Sequence, residues 1–202
     1  NSTMRTLVFG MPRTCTTAAC MMISRCLNLT NHMEKFGEIR TQQSKTTALE
    51  FLKNNDNYVA KILTMDVTSE DRFCYEFPDW TFADQVVIIH RQNYTDQICS
   101  DFFAREAFKY SKPINSQDEL DQWHKFLKTI TITIPLEYVN ERTLRMYKKL
   151  FADACDDIRN VCKNNHYEID YEDFQLPVEQ AAQVLSSKLW FDVDPTILAD
   201  MY

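Results

Sequence analysis

The sequence predicts an α/β fold, a central parallel sheet with helices on both faces, on the strength of three observations. Thr6–Phe9, Tyr58–Leu63 and Gln85–His90 are short runs, apolar almost throughout rather than alternating. That is the pattern of strands buried on both sides. Segments of helical period stand between and after these runs, and strands that alternate with helices pair in parallel. The stretch Arg5–Thr17, RTLVFGMPRTCTT, then leads from the first apolar run through a Pro-Arg turn and a hydroxyl-rich loop into a helix.

In chain order, Thr6–Phe9 is the first strand and Thr17–Leu27 the helix that follows the loop. Residues 27–36 are mixed, with room for a short second strand before Gly37. Thr41–Lys53 places Ala48, Leu49, Phe51 and Leu52 at loose helical spacing. Tyr58–Leu63 and Gln85–His90 are the next strands, separated by a loop-rich stretch containing Pro78 and Trp80. Tyr94–Tyr110 reads as a helix. Ser116-Gln117-Asp118-Glu119 is a capping box announcing another through Leu120, Trp123, Phe126 and Leu127, which Pro135 ends or kinks. Leu144, Tyr147, Leu150, Phe151, Ala154, Ile158 and Val161 recur at helical intervals, a long amphipathic helix. Tyr167, Ile169 and Tyr171 alternate as a last strand, and Pro177 suits the first residue of a closing helix. No repeat, low-complexity tract or linker interrupts the pattern. The expectation is one domain over 1–202, with Met4 the natural start after Asn1-Ser2-Thr3.

Composition narrows the function. At 202 residues the chain can bury one sizeable core, and 45% apolar with 25% charged residues is neither disordered nor fibrous. A net charge of -7 speaks against a nucleic-acid partner, whose binders carry basic faces. Any phosphate is then held by local donors. No long apolar stretch and no charged-then-apolar leader is present, so no membrane span and a cytoplasmic location are expected. The 7 cysteines are odd in number and include no C-x-x-C pair. They read as buried thiols in a reducing compartment, and no metal is expected.

The chemistry gathers in the loop after the first strand. A strand, a loop and a helix in that order aim backbone N–H groups and a helix N-terminus at an anion. Here the loop adds the Arg13 guanidinium and the hydroxyls of Thr14, Thr16 and Thr17. With only 2 glycines in the chain, Gly10 and Gly37 stand out as backbone positions.

Three separated segments carry a family resemblance. Pro12-Arg13-Thr14-Cys15-Thr16-Thr17 resembles the P-R-S-G-T-T phosphosulfate loop of sulfotransferases, whose donor is 3′-phosphoadenosine 5′-phosphosulfate (PAPS). Ile89–Ser100 is similar to their 3′-phosphate motif, a strand ending in Arg with a Ser in the next helix. In the bacterial carbohydrate branch, typified by trehalose sulfotransferase, that motif runs R-R-D-x-x-x-Q-A-x-S, and Arg91, Gln97 and Ser100 fit its spacing. Tyr171-Glu172-Asp173-Phe174 is similar to the superfamily's Y-E-D-L.

The resemblance implies a P-loop-like three-layer α/β/α fold and sulfuryl transfer to a hydroxyl of a carbohydrate or other small acceptor. It implies that Arg13, Thr14, Thr16, Thr17 and the backbone from Cys15 to Thr17 hold the phosphosulfate. Arg91 and Ser100 would hold the 3′-phosphate. Arg13 and Lys61 are the candidate stabilisers of the transferring group. The cytosolic branch takes its base from a K-T-H, but here Leu63 stands at the His position of Lys61-Ile62-Leu63. The carbohydrate branches use a Glu after the first helix, and Glu34 matches it, with Glu38 and His32 as alternatives.

Two departures are expected to matter. Cys15 replaces the family's Gly, and the G-x-x-G-x-W-K loop that covers the nucleotide in the cytosolic branch is missing, leaving adenine recognition unassigned. Trp80, Phe82 and Tyr75 either line an acceptor pocket or belong to the peripheral core. Two rival readings stay open. One is a P-loop phosphotransferase, for which G-K-[ST] is lacking. The other is a relative that binds nucleotide or a partner protein and transfers nothing.

Overall fold

The computed structural model describes residues 3–33, 42–69, 74–77, 79–109, 117–135 and 141–201. They belong to two compact units, Asn1–Gln92 with Met146–Tyr202, and Asn93–Arg145.

The first unit is built on five parallel strands among the described residues: β1 (Arg5–Gly10), β2 (Thr30–Met33), β3 (Tyr58–Leu63), β4 (Gln85–His90) and β5 (His166–Asp170). Their spatial order is β2-β3-β1-β4-β5. Because successive strand residues face opposite ways, each apolar run feeds two cores. Val8, Val59, Val87, Ile89 and Ile169 pack with α1 (Thr16–Leu27), α6 (Val178–Lys188) and α7 (Pro195–Asp200) through Ala19, Met22, Ile23, Leu185 and Leu198. On the other face Phe9 stacks on Phe151 of α5 (Glu141–Val161) at 5.7 Å and meets Trp80 edge-on at 5.5 Å. There too the Tyr58 hydroxyl donates to the Leu52 carbonyl of α2 (Gln42–Asn54) at 2.7 Å. Helices therefore cover both faces of a parallel sheet, as the continuous apolar runs require.

Differences from the sequence reading have local causes. β5 stops at Asp170, and Tyr171 opens a 3-10 turn, Tyr171–Gln175, because the Asp173 carboxylate accepts from the Asp170 N–H at 2.9 Å and turns the chain. Pro177 is the N-cap of α6 rather than its first residue. α7 was not anticipated, although Asp194 accepts from Thr196 N–H at 2.8 Å and Pro195 opens the helix, a familiar pairing of signals. Trp80 is only 1% exposed and donates to the Tyr75 hydroxyl at 2.7 Å, while Tyr75 donates to Asp157. Trp80 is thus core rather than pocket lining, and Asp157 of α5 anchors this chain of bonds.

The second unit contains α3 (Tyr94–Phe108) and α4 (Gln117–Leu127). Asn93 caps α3 by accepting from Asp96 N–H at 3.1 Å. In α4, Trp123 and Phe126 stack at 5.5 Å. The capping box expected at the start of α4 begins at Ser116, which lies outside the described residues. Among the described residues no helix is long and apolar enough to cross a membrane.

Candidate functional site

The sheet places four loops along one edge. Gly10 of β1 is level with Leu63 of β3 and Ile89 of β4, and His90 of β4 is level with Asp170 of β5. From β1 the chain passes to β2 on one side of the sheet, and from β4 to β5 on the other. The crevice at the carboxyl ends of β1 and β4 is therefore the point where strand order reverses, the place at which open parallel sheets bind ligands.

Residues 11–15 turn tightly above β1. Arg13 and Cys15 both take positive φ, 65° and 63°. Cys15 is the N-cap of α1 in the left-handed region, and its side chain makes no capping bond. Left-handed backbone at a non-glycine residue costs about 1–2 kcal/mol, so Cys15 carries strain that a Gly at this position would avoid. Gly10 is required by close approach: a Cβ there would lie 2.7 Å from Thr14 Oγ1 and 3.0 Å from Thr16 Cγ2. Thr14 is 1% exposed, and its hydroxyl donates to the Met11 carbonyl at 2.8 Å. Its one hydrogen thus shapes the loop, leaving an oxygen that can only accept.

The first intrahelical bond of α1 runs from Ala19 N–H to Cys15 O at 2.9 Å, so the N–H groups of Thr16, Thr17 and Ala18 precede the ladder. No acidic residue sits in this first turn. Lys61, on the α1 side of β3, donates to Thr17 Oγ1 at 3.1 Å. The Thr17 hydroxyl accepts that bond and keeps its own hydrogen to donate. From β4, Arg91 Nη1 donates to the Arg13 carbonyl at 2.7 Å, joining the two loops across the crevice. The Arg91 guanidinium also lies over the Tyr171 ring, 4.1 Å from its centroid.

The charges nearby are held firmly. His90 Nε2 pairs with Glu168 at 2.7 Å, and Arg159 grips the same carboxylate at 2.6 and 3.1 Å. Those bonds, Arg159 first, hold Glu168 well below the usual range, at about 2. Burial pushes the Cys15 thiol up to about 11, against the pull of Arg91 and Arg13, so it stays protonated and is no nucleophile at neutral pH. Among the described residues no group of three or more His, Cys, Asp or Glu could hold a metal ion.

The structure thus brings Arg13, Thr14, Cys15, Thr16, Thr17, Lys61 and Arg91 to the β1, β3 and β4 end of the sheet. Ser100 lies on α3, in the second unit. Glu34, Glu38 and Gly37 lie outside the described residues. His32 packs on Phe51 and Tyr58, with ring centroids 5.0 and 5.2 Å away. The sequence marks Tyr171 as part of a strand and of the Tyr171–Phe174 segment but gives it no role at the site; its place under Arg91 depends on β5 being the neighbour of β4.

Compared with known proteins, the chain matches no family model, no curated protein and no solved structure.

Proposed function

We propose that this chain is a P-loop-like, cytoplasmic sulfotransferase that moves a sulfuryl group from PAPS to a hydroxyl of a carbohydrate or other small acceptor. The observation that carries the reading is the cationic loop at the sheet's reversal point. The uncapped N-terminus of α1 follows a loop that carries Arg13, with Lys61 bonded to Thr17 of its first turn and Arg91 to the Arg13 carbonyl. Such a site suits a nucleotide with phosphates at two positions. The donors that support the reading are the Thr16, Thr17 and Ala18 N–H groups, the Thr17 hydroxyl and Lys61 Nζ for the 5′ side and Arg91 for the 3′ side; Ser100 is assigned to the 3′-phosphate by its motif alone. Thr14 contributes by shaping the loop.

In the reaction the acceptor oxygen forms a bond to sulfur while the bond from sulfur to the phosphate oxygen breaks. The acceptor proton passes to a base, for which Glu34 is the proposed residue, and adenosine 3′,5′-bisphosphate leaves. Lys61 and Arg13 offset the charge that builds on the leaving oxygen. The test is acceptor-dependent release of adenosine 3′,5′-bisphosphate from PAPS across a panel of sugars and small alcohols. Release that needs both an acceptor and Arg13 supports the reading. Tight donor binding with no release from any acceptor favours the non-catalytic alternative, to which the strained Cys15 lends weight.

A further inference from the structure

We propose that Tyr171 is the positioning residue that sets the Arg91 guanidinium for the 3′-phosphate, and so makes this site prefer a 3′,5′-bisphosphate nucleotide over a 5′-monophosphate. The inference rests on the donor-site reading above and goes further by naming what fixes its selectivity.

The segment after β5 is organised around the turn after β4. His90 and Asp170 are paired in register, so Arg91 and Tyr171 each follow the last residue of two adjacent strands. Asp173 accepts from Asp170 N–H at 2.9 Å, and Lys188 bonds Asp173 at 2.7 Å and Asp170 at 3.1 Å, which fixes the backbone that bears Tyr171. Gln92 N–H donates to Glu172 Oε1 at 3.1 Å, and Gln92 Nε2 donates to Asp170 Oδ1 at 3.2 Å. Residues 170–172 thus hold Gln92 by two bonds, while the Tyr171 ring lies 4.1 Å beneath Arg91.

A guanidinium has five N–H donors, all in its plane. Stacked on a ring it uses its face, and the ring quadrupole attracts the cation without consuming a donor. One Nη1 hydrogen goes to the Arg13 carbonyl at 2.7 Å. The remaining in-plane donors keep a fixed direction. On a flexible arginine that order would have to be imposed when the phosphate binds, at the expense of affinity. Tyr171 supplies it in advance.

The experiment is calorimetric titration of wild type, Tyr171→Phe, Tyr171→Leu and Tyr171→Gln with adenosine 3′,5′-bisphosphate and, separately, with AMP. The wild type should prefer the bisphosphate. The Leu and Gln variants should each lose roughly 3–30-fold of bisphosphate affinity, the range of a cation–π contact, while AMP affinity changes less than about twofold. Tyr171→Phe should keep the wild-type preference, because the ring and not the hydroxyl does the work. In an Arg91→Ala background Tyr171→Leu should change nothing further. Equal loss for both nucleotides, loss in the Phe variant, or an unchanged Leu variant overturns the role of Tyr171 and leaves the donor site standing. A wild type without preference for the bisphosphate overturns the donor site itself. Gln serves as the second variant should Leu prevent folding.

Discussion

Adding one methyl group at Gly10 tests whether the loop geometry is as tight as it looks. The Ala Cβ would sit 2.7 Å from Thr14 Oγ1 and 3.0 Å from Thr16 Cγ2, with the Ile89 carbonyl at an ordinary 3.5 Å. Both close distances are shorter than a normal contact, and Thr14 cannot swing away without losing its 2.8 Å bond to Met11 O. Overpacking costs about 1–3 kcal/mol, and a broken buried hydrogen bond adds about 1 kcal/mol. Replacing a strand glycine returns about 0.5–1 kcal/mol of chain entropy. The net expectation for Gly10→Ala is destabilisation by about 1–3.5 kcal/mol, a fall of ~2–14 °C in Tm for a chain of this size. Thermal unfolding of Gly10→Ala, Thr14→Ala and the double variant gives the cycle. Removing Oγ1 should make the added methyl markedly less harmful, a coupling of about 1 kcal/mol. A Gly10→Ala variant as stable as wild type, or strictly additive single changes, would refute the claim that Thr14 closes the loop over Gly10.

Three further outcomes follow from the same site. Arg13→Ala should abolish donor binding and turnover together, measured by calorimetry and by bisphosphate release, since it removes the loop's guanidinium while leaving the backbone carbonyl that Arg91 bonds. Glu34→Gln should bind the donor normally and lower turnover ~10²–10⁴-fold; unchanged turnover removes Glu34 as the base. Glu168, held down to about 2, contributes stability that is present above about pH 4.5 and is lost as pH falls toward 2. Glu168→Gln should therefore be less stable than wild type near neutral pH. The two urea midpoints should converge in acid, and parallel midpoint-against-pH curves would contradict this.

Several elements were legible for simple physical reasons. Tyr58–Leu63 and Gln85–His90 coincide with β3 and β4, because a strand buried on both faces has no polar alternation to blur its ends. The β1–loop–α1 order was equally visible, and Lys61 sits on the α1 side with its amine on Thr17. Other features depended on partners far away in sequence. Tyr171 continued the alternation of Tyr167 and Ile169, yet Asp173 turns the chain one residue earlier and places the ring under Arg91. Thr14 looked like a phosphate donor by residue type, and only the path of the loop shows its hydrogen directed to Met11. The left-handed backbone of Arg13 carries no sequence mark, whereas that of Cys15 was signalled only by the Gly at the same place in the resembled motif. Trp80, ambiguous by composition, is core because Phe9 and Tyr75 enclose it.

The central claim is that the loop after β1, with Arg91, binds a nucleotide bearing both a 5′- and a 3′-phosphate. Thermal unfolding with adenosine 3′,5′-bisphosphate, beside AMP, ADP and ATP with and without magnesium, tests it most directly. At 100 times its dissociation constant a ligand adds ~2.7 kcal/mol, a rise of ~5–11 °C here. The account predicts that rise with the 3′,5′-bisphosphate and no comparable rise with the others. A rise with ATP and magnesium, or none with any nucleotide, would contradict it.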